Sequence, residues 1–351
     1  MLRTLLAGCA ALAGALLVTA ATARADAGLR YRVAHEVSLP GDEGWDYLTF
    51  ESAAHRLFIA HGTRVLVVDT EKVALAGEIA DTPGVHGIAL APELGRGYVS
   101  AGRAGMIVVF DLKTLARLKE IKTTGENPDA IVYDPATRRV FSFNGRGRNV
   151  TAVDARSDAV VGSIALDAKP EFAVSDGKGH LYVNLEDKNS LAMLDAAKLS
   201  VLSVWPVSGC EEPSGLALDG AGRRLFTVCS NKIMAVVDAA SGRVLGTAPI
   251  GGGVDAAAFD AGTRLAFASC GEGTLTVVRQ NASGAPEVAQ ALPTRRGART
   301  MALDVDSHRV YLVTADFGAP PAATPERPHP RPPILPGSFR LLVIEPNPDT
   351  Q

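Results

Sequence analysis

The chain has 351 residues, 35 of them basic and 38 acidic, for a net charge of −3, and it is 47% hydrophobic. That near balance argues against a general surface for nucleic acid or anionic membrane. Length alone suggests two domains, unless the chain is a repeat, so internal periodicity decides the organisation.

The first 25 residues read as a leader for export. Arg3 supplies a positive start, residues 5–22 are almost wholly Leu, Ala, Gly and Val, and Ala23, Arg24 and Ala25 fit the small-residue rule for leader cleavage. The run Leu6, Ala7, Gly8, Cys9 imitates a lipoprotein site, but the apolar core follows Cys9 instead of preceding it. Without the leader 33 basic and 38 acidic residues remain, a mildly acidic chain. No later apolar run approaches the ~18 to 20 residues that a membrane span needs. A periplasmic or secreted monomer is expected.

Residues 31–39 (YRVAHEVSL) form an alternating run that stands before the first of seven repeats. Each repeat carries an aromatic followed by small or β-branched residues, at Phe58, Tyr98, Phe141, Tyr182, Phe226, Phe267 and Tyr311. Each then has an apolar run closed by a polar residue, at Asp69, Asp111, Asp154, Asp195, Asp238, Arg279 and Glu345. The closing residues are 42, 43, 41, 43, 41 and 66 apart. Within each unit, runs of four to seven residues are punctuated by Gly, Asp-Gly, Ser-Gly and Pro, and no helical period is sustained. Four short antiparallel strands per ~40-residue unit, seven times over, predict an all-β fold, a seven-bladed β-propeller filling residues 26–351 as one domain. The last unit ends with its third strand, residues 339–344. Residues 31–39 are therefore expected to supply the missing outer strand and close the ring, which removes an exposed edge.

The units resemble the YVTN-repeat β-propellers, the YncE-like family. Residues 87–111 (GIALAPELGRGYVSAGRAGMIVVFD) and 130–154 carry the resemblance most clearly, and it extends over about residues 31–346. It implies the propeller fold. For function it implies an extracytoplasmic binding, scaffold or accessory protein, although related propellers are enzymes.

Six units place a basic residue two positions before the aromatic: Arg56, Arg96, Arg139, His180, Arg224 and Arg309. In a meander each lies opposite the closing acid of its own unit, so six cross-strand ion pairs are expected, Arg56 with Asp69 through Arg309 with Glu345. The sixth unit loses both partners together, with Leu265 and Arg279 in their places.

Aligning the innermost strands puts Asp46, His86, Asp129, Glu171, Ser214, Asp255 and Arg299 at one level, the mouth of the central channel. Two readings follow. Each acid can accept backbone N–H bonds from the turn that enters its strand, with Arg299 between Asp255 and Asp46 neutralising both. Alternatively the ring is a site in which Asp46, Asp129, Glu171 and Asp255 hold Ca²⁺ or Mg²⁺ and His86 acts as a ligand or general base.

Three further features belong on this face. Cys210 precedes the innermost strand of the fifth unit and Cys229 ends the adjacent strand, so a disulfide is expected between them, with Cys270 free. The third is a Pro-rich insertion, residues 318–337, which explains the spacing of 66 and reads as a loop over the mouth, a lid or a ligand for a partner.

No G-x-S-x-G, H-E-x-x-H or C-x-x-C motif is present. Two tryptophans, Trp45 and Trp205, are too few for a quinone-cofactor propeller, which carries a docking Trp in most blades. The leading expectation is a non-catalytic binding or scaffold protein that recognises a small ligand, a metal or a protein partner at the mouth. The alternative is a divalent-metal-dependent hydrolase of the lactonase type.

Overall fold

The computed structural model describes residues 29–281, 284–324 and 330–347. The leader expected over residues 1–25 lies outside them.

Seven four-stranded antiparallel sheets form a ring of blades. In blade 2 the strands are Val85–Ala91 (inner), Arg96–Ala101, Met106–Asp111 and Arg117–Lys122 (outer). The apolar content of each strand follows from its place in that order. The two middle strands are covered on both faces by neighbouring blades, which is why Met106–Asp111 reads as a continuous apolar run. The outer strand buries only Ile121 and exposes Leu118 among four charged residues, charges being the usual protection of an exposed edge.

Seven apolar clusters fill the seven interfaces between neighbouring blades. Phe58 and Phe110, for example, meet at 5.8 Å between blades 1 and 2. The inner strands follow one another around the channel, and Met301–Asp304 of blade 7 packs against Trp45–Glu51 of blade 1, so the ring is closed. Closure is completed as expected: Tyr31–Ser38 is the outer strand of blade 7, paired with Arg340–Pro346 from the other end of the chain. The 318–337 insertion forms no strand in its described parts, and the isolated bridge of Phe317 to Ile334 and the Gly337 N–H donated to Asp42 tie it to the ring.

The expected ion pairs are corrected. The backbone register is right, with Arg56 opposite Asp69, Arg96 opposite Asp111, Arg139 opposite Asp154, His180 opposite Asp195 and Arg224 opposite Asp238. Among the described residues, however, only Arg309 and Glu345 form the pair, at 3.4 Å. Elsewhere the closing acid caps its own turn: Asp111 accepts from the N–H groups of Lys113 at 3.0 Å and Thr114 at 2.7 Å, and Asp69, Asp154, Asp195 and Asp238 do the same. A partner two or three residues away costs little entropy to reach. The arginines, released, reach across to the next blade. Arg56 donates to the carbonyl of Leu112, Arg96 to that of Ala155 and Arg139 to that of Ala196, in each case the residue after the neighbouring blade's closing acid. His180 turns instead to Asp176, 2.9 Å away. The periodic basic residue is therefore a staple between blades in the first three units.

Candidate functional site

The inner strands all enter from the same face, and five are bulged at the same place. Trp45 pairs with His61 and pairing resumes at Leu48 with Ile59, leaving Asp46 and Tyr47 opposite one residue. The same skip falls on His86, Asp129, Glu171 and Ser214 with the residue that follows each. In blade 6 Asp255 alone is skipped. A bulge re-aims the side chains it carries, so the polar residue that breaks each apolar strand sits where the ladder is already broken. Gly215, on the blade 5 bulge, permits close approach of the next blade: a Cβ there would lie 2.6 Å from the Ala256 backbone.

Asp46, His86, Asp129, Glu171, Asp255 and Arg299 line one cavity of about 280 Å³ on the channel axis. Ser214 is not part of its wall and donates to the carbonyl of Val254 at 3.3 Å. Three basic residues divide the ring. His86 Nδ1 lies 2.6 Å from Asp46 and 3.7 Å from Asp129. Arg299 donates to Asp255 at 2.7 Å and to the carbonyl of Trp45 at 3.1 Å. Lys169 lies 3.0 Å from Glu171 and is also bonded to Glu186. Arg299 therefore does not bridge Asp255 and Asp46 as expected, because His86 occupies Asp46. The four carboxylates do not meet as one set either. The donor atoms that gather within 4.8 Å are those of Asp46, His86 and Asp129, whereas Glu171 and Asp255 are turned to Lys169 and Arg299.

The electrostatics record burial first and the crowding of carboxylates second. Burial and the charges of Asp46 and Asp255 push the Asp129 carboxyl up to about 6 against the pull of His86 and Lys169. Burial and the Asp129 charge push Glu171 up to about 8, opposed by Lys169. Asp255 is also raised, by burial first, with Arg299 opposing. Burial disfavours the His86 imidazolium, but the Asp46 hydrogen bond and the surrounding carboxylates outweigh it and raise His86 to about 9. At neutral pH His86 is a cation between Asp46 and Asp129.

The residues one position deeper close the well. Tyr47 of blade 1 and Phe172 of blade 4 meet at 4.9 Å although their blades are not neighbours, so two aromatic rings cross the channel directly beneath the charged level. Above it the Pro-rich insertion contributes Arg331 to the wall. The well is polar around its sides, aromatic at its floor and partly roofed.

The disulfide lies at the same rim. Cys210 and Cys229 are joined, with Cα atoms 5.4 Å apart, and Pro213, the neighbour of Ser214, pairs with Cys229. Cys270 is free and buried at the equivalent strand end one blade on. Replacing Cys210 and Cys229 by Ser is expected to lower stability by about 3 kcal/mol. Urea denaturation compared with and without reductant measures it, and equal midpoints for the two proteins would contradict the bond.

With this geometry established, comparison with known proteins adds the following. No protein family matches the chain, and no curated protein does. Solved structures do match. The WD40 repeats of RRP9 superpose with a TM-score of 0.75 at 9% identity, covering 91% of this chain and all of that one. A chain of the mitotic checkpoint complex gives 0.72 at 13%, covering 98% of each. A chain of the Kuenenia stuttgartiensis hydrazine synthase gives 0.69 at 17%, covering 78% of this chain and 93% of that one.

The chain is a seven-bladed β-propeller. At these identities the likeness extends to the fold alone.

Several residues of the mouth escape sequence reasoning. Lys169 stands in the connection before its strand, and Arg331 comes from an insertion with no counterpart in other blades, so repeat alignment finds neither. Tyr47 and Phe172 were findable, because each follows a ring residue directly.

Proposed function

We propose that the chain is an exported β-propeller of the YVTN-repeat kind, a binding or accessory protein whose channel mouth takes up a small cationic group. The observation that carries this reading is the well itself. Four carboxylates share about 280 Å³, and two of them hold protons far above the usual carboxylate range. Burial raises both values first and the crowding of carboxylates second, and a cation placed among the carboxylates relieves that crowding as a proton does. The aromatic floor suits an organic ammonium or guanidinium group, which gains from lying over π faces. A protein partner presenting a Lys or Arg side chain meets the same chemistry. Export is supported by the leader pattern and by the Cys210–Cys229 bond, which persists in an oxidising compartment.

A second reading, the divalent-metal hydrolase of the lactonase type, is favoured by the convergence of Asp46, His86 and Asp129. Two carboxylates and an imidazole suit a divalent ion, but the imidazole must first lose its proton, and as a ligand His86 could not also serve as the base.

Both readings are tested on the same variant. Asp129→Asn with Asp255→Asn is expected to keep the fold and to weaken binding of the preferred cation at least tenfold. Titration calorimetry and thermal shift with Ca²⁺, Mg²⁺ and butylamine read it. A wild-type protein that responds to none of the three, or a variant that responds equally, would remove the site.

A further inference from the structure

A second cavity of about 300 Å³ adjoins the acid well between blades 1 and 7 and the Pro-rich insertion. Its chemistry is the reverse of the well's. Arg296, Arg299 and Arg331 line it together with Trp45, Phe317 and Ile334, and among the described residues no carboxylate does. Arg299 is engaged by Asp255, but Arg296 and Arg331 are exposed and have no acidic partner among the described residues.

We propose that this cavity is an anion subsite for the carboxylate of a small organic acid with an apolar body. Three guanidinium groups around one space repel one another, and an anion placed among them relieves that repulsion. A planar guanidinium also offers paired N–H donors matched to the two oxygens of a carboxylate. The guanidiniums are held in position by the apolar wall: Arg296 lies 5.9 Å from the Phe317 ring centre and Arg299 lies 6.0 Å from that of Trp45. Trp45 and Phe317 are 6.1 Å apart and tilted by 44°, so together they offer a bent aromatic surface instead of a closed slot. Phe317 keeps this seat because Gly297, at φ +86°, has no side chain; a Cβ there would stand 2.7 Å from the ring.

The apolar wall is what separates an organic acid from a bare inorganic anion. A guanidinium cluster alone would take phosphate as readily, whereas a hydrocarbon body on Trp45, Phe317 and Ile334 adds burial that phosphate lacks. Arg299 and Arg331 line both cavities. A ligand with an ammonium group and a carboxylate could therefore span the mouth from acid well to arginine pocket, a step that rests on the well accepting a cation.

Titration calorimetry at low salt with phenylacetate as the probe and inorganic phosphate as the control tests the subsite. Phenylacetate is expected to bind one per chain and phosphate at least tenfold more weakly. The variant Arg296→Gln, at a residue that lines the arginine pocket and not the acid well, is expected to weaken phenylacetate at least tenfold while leaving the butylamine and divalent-ion titrations unchanged. Three results would overturn the proposal: no binding of phenylacetate by the wild-type chain, equal binding of phosphate, or equal binding of phenylacetate by the variant. Failure of the cation reading is distinguishable, because it removes the butylamine and metal responses and leaves phenylacetate binding intact.

Discussion

Deletion of residues 31–38 is expected to abolish cooperative folding of the monomer. The strand is outermost in its blade, yet it also joins two blades. Tyr31 is buried and meets Phe267 of blade 6 edge-on at 5.1 Å. Its backbone N–H donates to the Gln290 side chain at 2.8 Å, and its carbonyl accepts from the same side chain at 2.8 Å. Glu36 reaches Arg295 at 2.8 Å, and Leu39 continues the contact by donating to the Phe339 carbonyl. Loss of one buried aromatic side chain costs about 3 to 5 kcal/mol, against a total stability of about 5 to 15 kcal/mol for a typical fold. Deletion adds the loss of a whole hydrogen-bonded ladder. It also bares Arg340–Pro346, whose centre is the apolar run of Leu341, Leu342, Val343 and Ile344, as an edge open to other chains. Far-UV circular dichroism on melting and sedimentation velocity are the measurements. Tyr31→Ala alone is expected to lose about 3 kcal/mol while staying monomeric. A truncated chain that sediments as a monomer with an unchanged melting temperature would contradict this account of closure.

The fold is legible in the sequence because each blade solves the same physical problem. Four strands with an apolar middle pair recur at nearly constant spacing, and the single irregular interval coincides with a Pro-rich run that cannot be strand. The ring at the mouth is legible for the same reason, since alignment of repeats is alignment of blades. Contacts are less legible than positions. Arg96 does lie opposite Asp111, but register places only backbones. Asp111 finds nearer partners in its own turn, and Arg96 finds Asp158 and a carbonyl on the next blade. His86 likewise takes Asp46 from Arg299, a competition between two blades that one unit cannot reveal. Arg296, Arg331 and Phe317 belong to connections peculiar to blade 7, and nothing in the repeat forecasts that they border one cavity.

Between pH 5 and pH 9 the melting temperature is expected to fall continuously, with the mouth as the main cause. Asp129 and Glu171 hold their protons to about 6 and about 8 in the folded protein, above their ordinary 3.8 and 4.5. Over the interval between those values the folded state binds more protons than the unfolded chain, so stability decreases as pH rises. His86 acts in the same direction. Its folded value of about 9 exceeds the ordinary 6.5, so the stability it contributes is complete below about 6.5 and is lost as pH rises through 9. The two carboxylates interact, and their protons leave in steps that belong to the pair. Glu171→Gln separates this cause from general titration. The amide cannot ionise, and Lys169 keeps its bond to Glu186. The variant is expected to match the wild-type chain near pH 5 and to exceed it by about 4 kcal/mol at pH 9, since each pKa unit of displacement is worth about 1.4 kcal/mol and about three of the units between 4.5 and 8 lie above pH 5. Urea titrations at pH 5, 7 and 9 on both proteins supply the numbers. Parallel pH profiles for the two would mean that burial and its neighbours do not displace the Glu171 carboxyl from its ordinary value. A cation bound in the well must reverse the same trend, because it replaces the protons that Asp129 and Glu171 give up. Its stabilising effect therefore has to grow from pH 5 to pH 9, and a ligand whose effect is independent of pH is bound elsewhere.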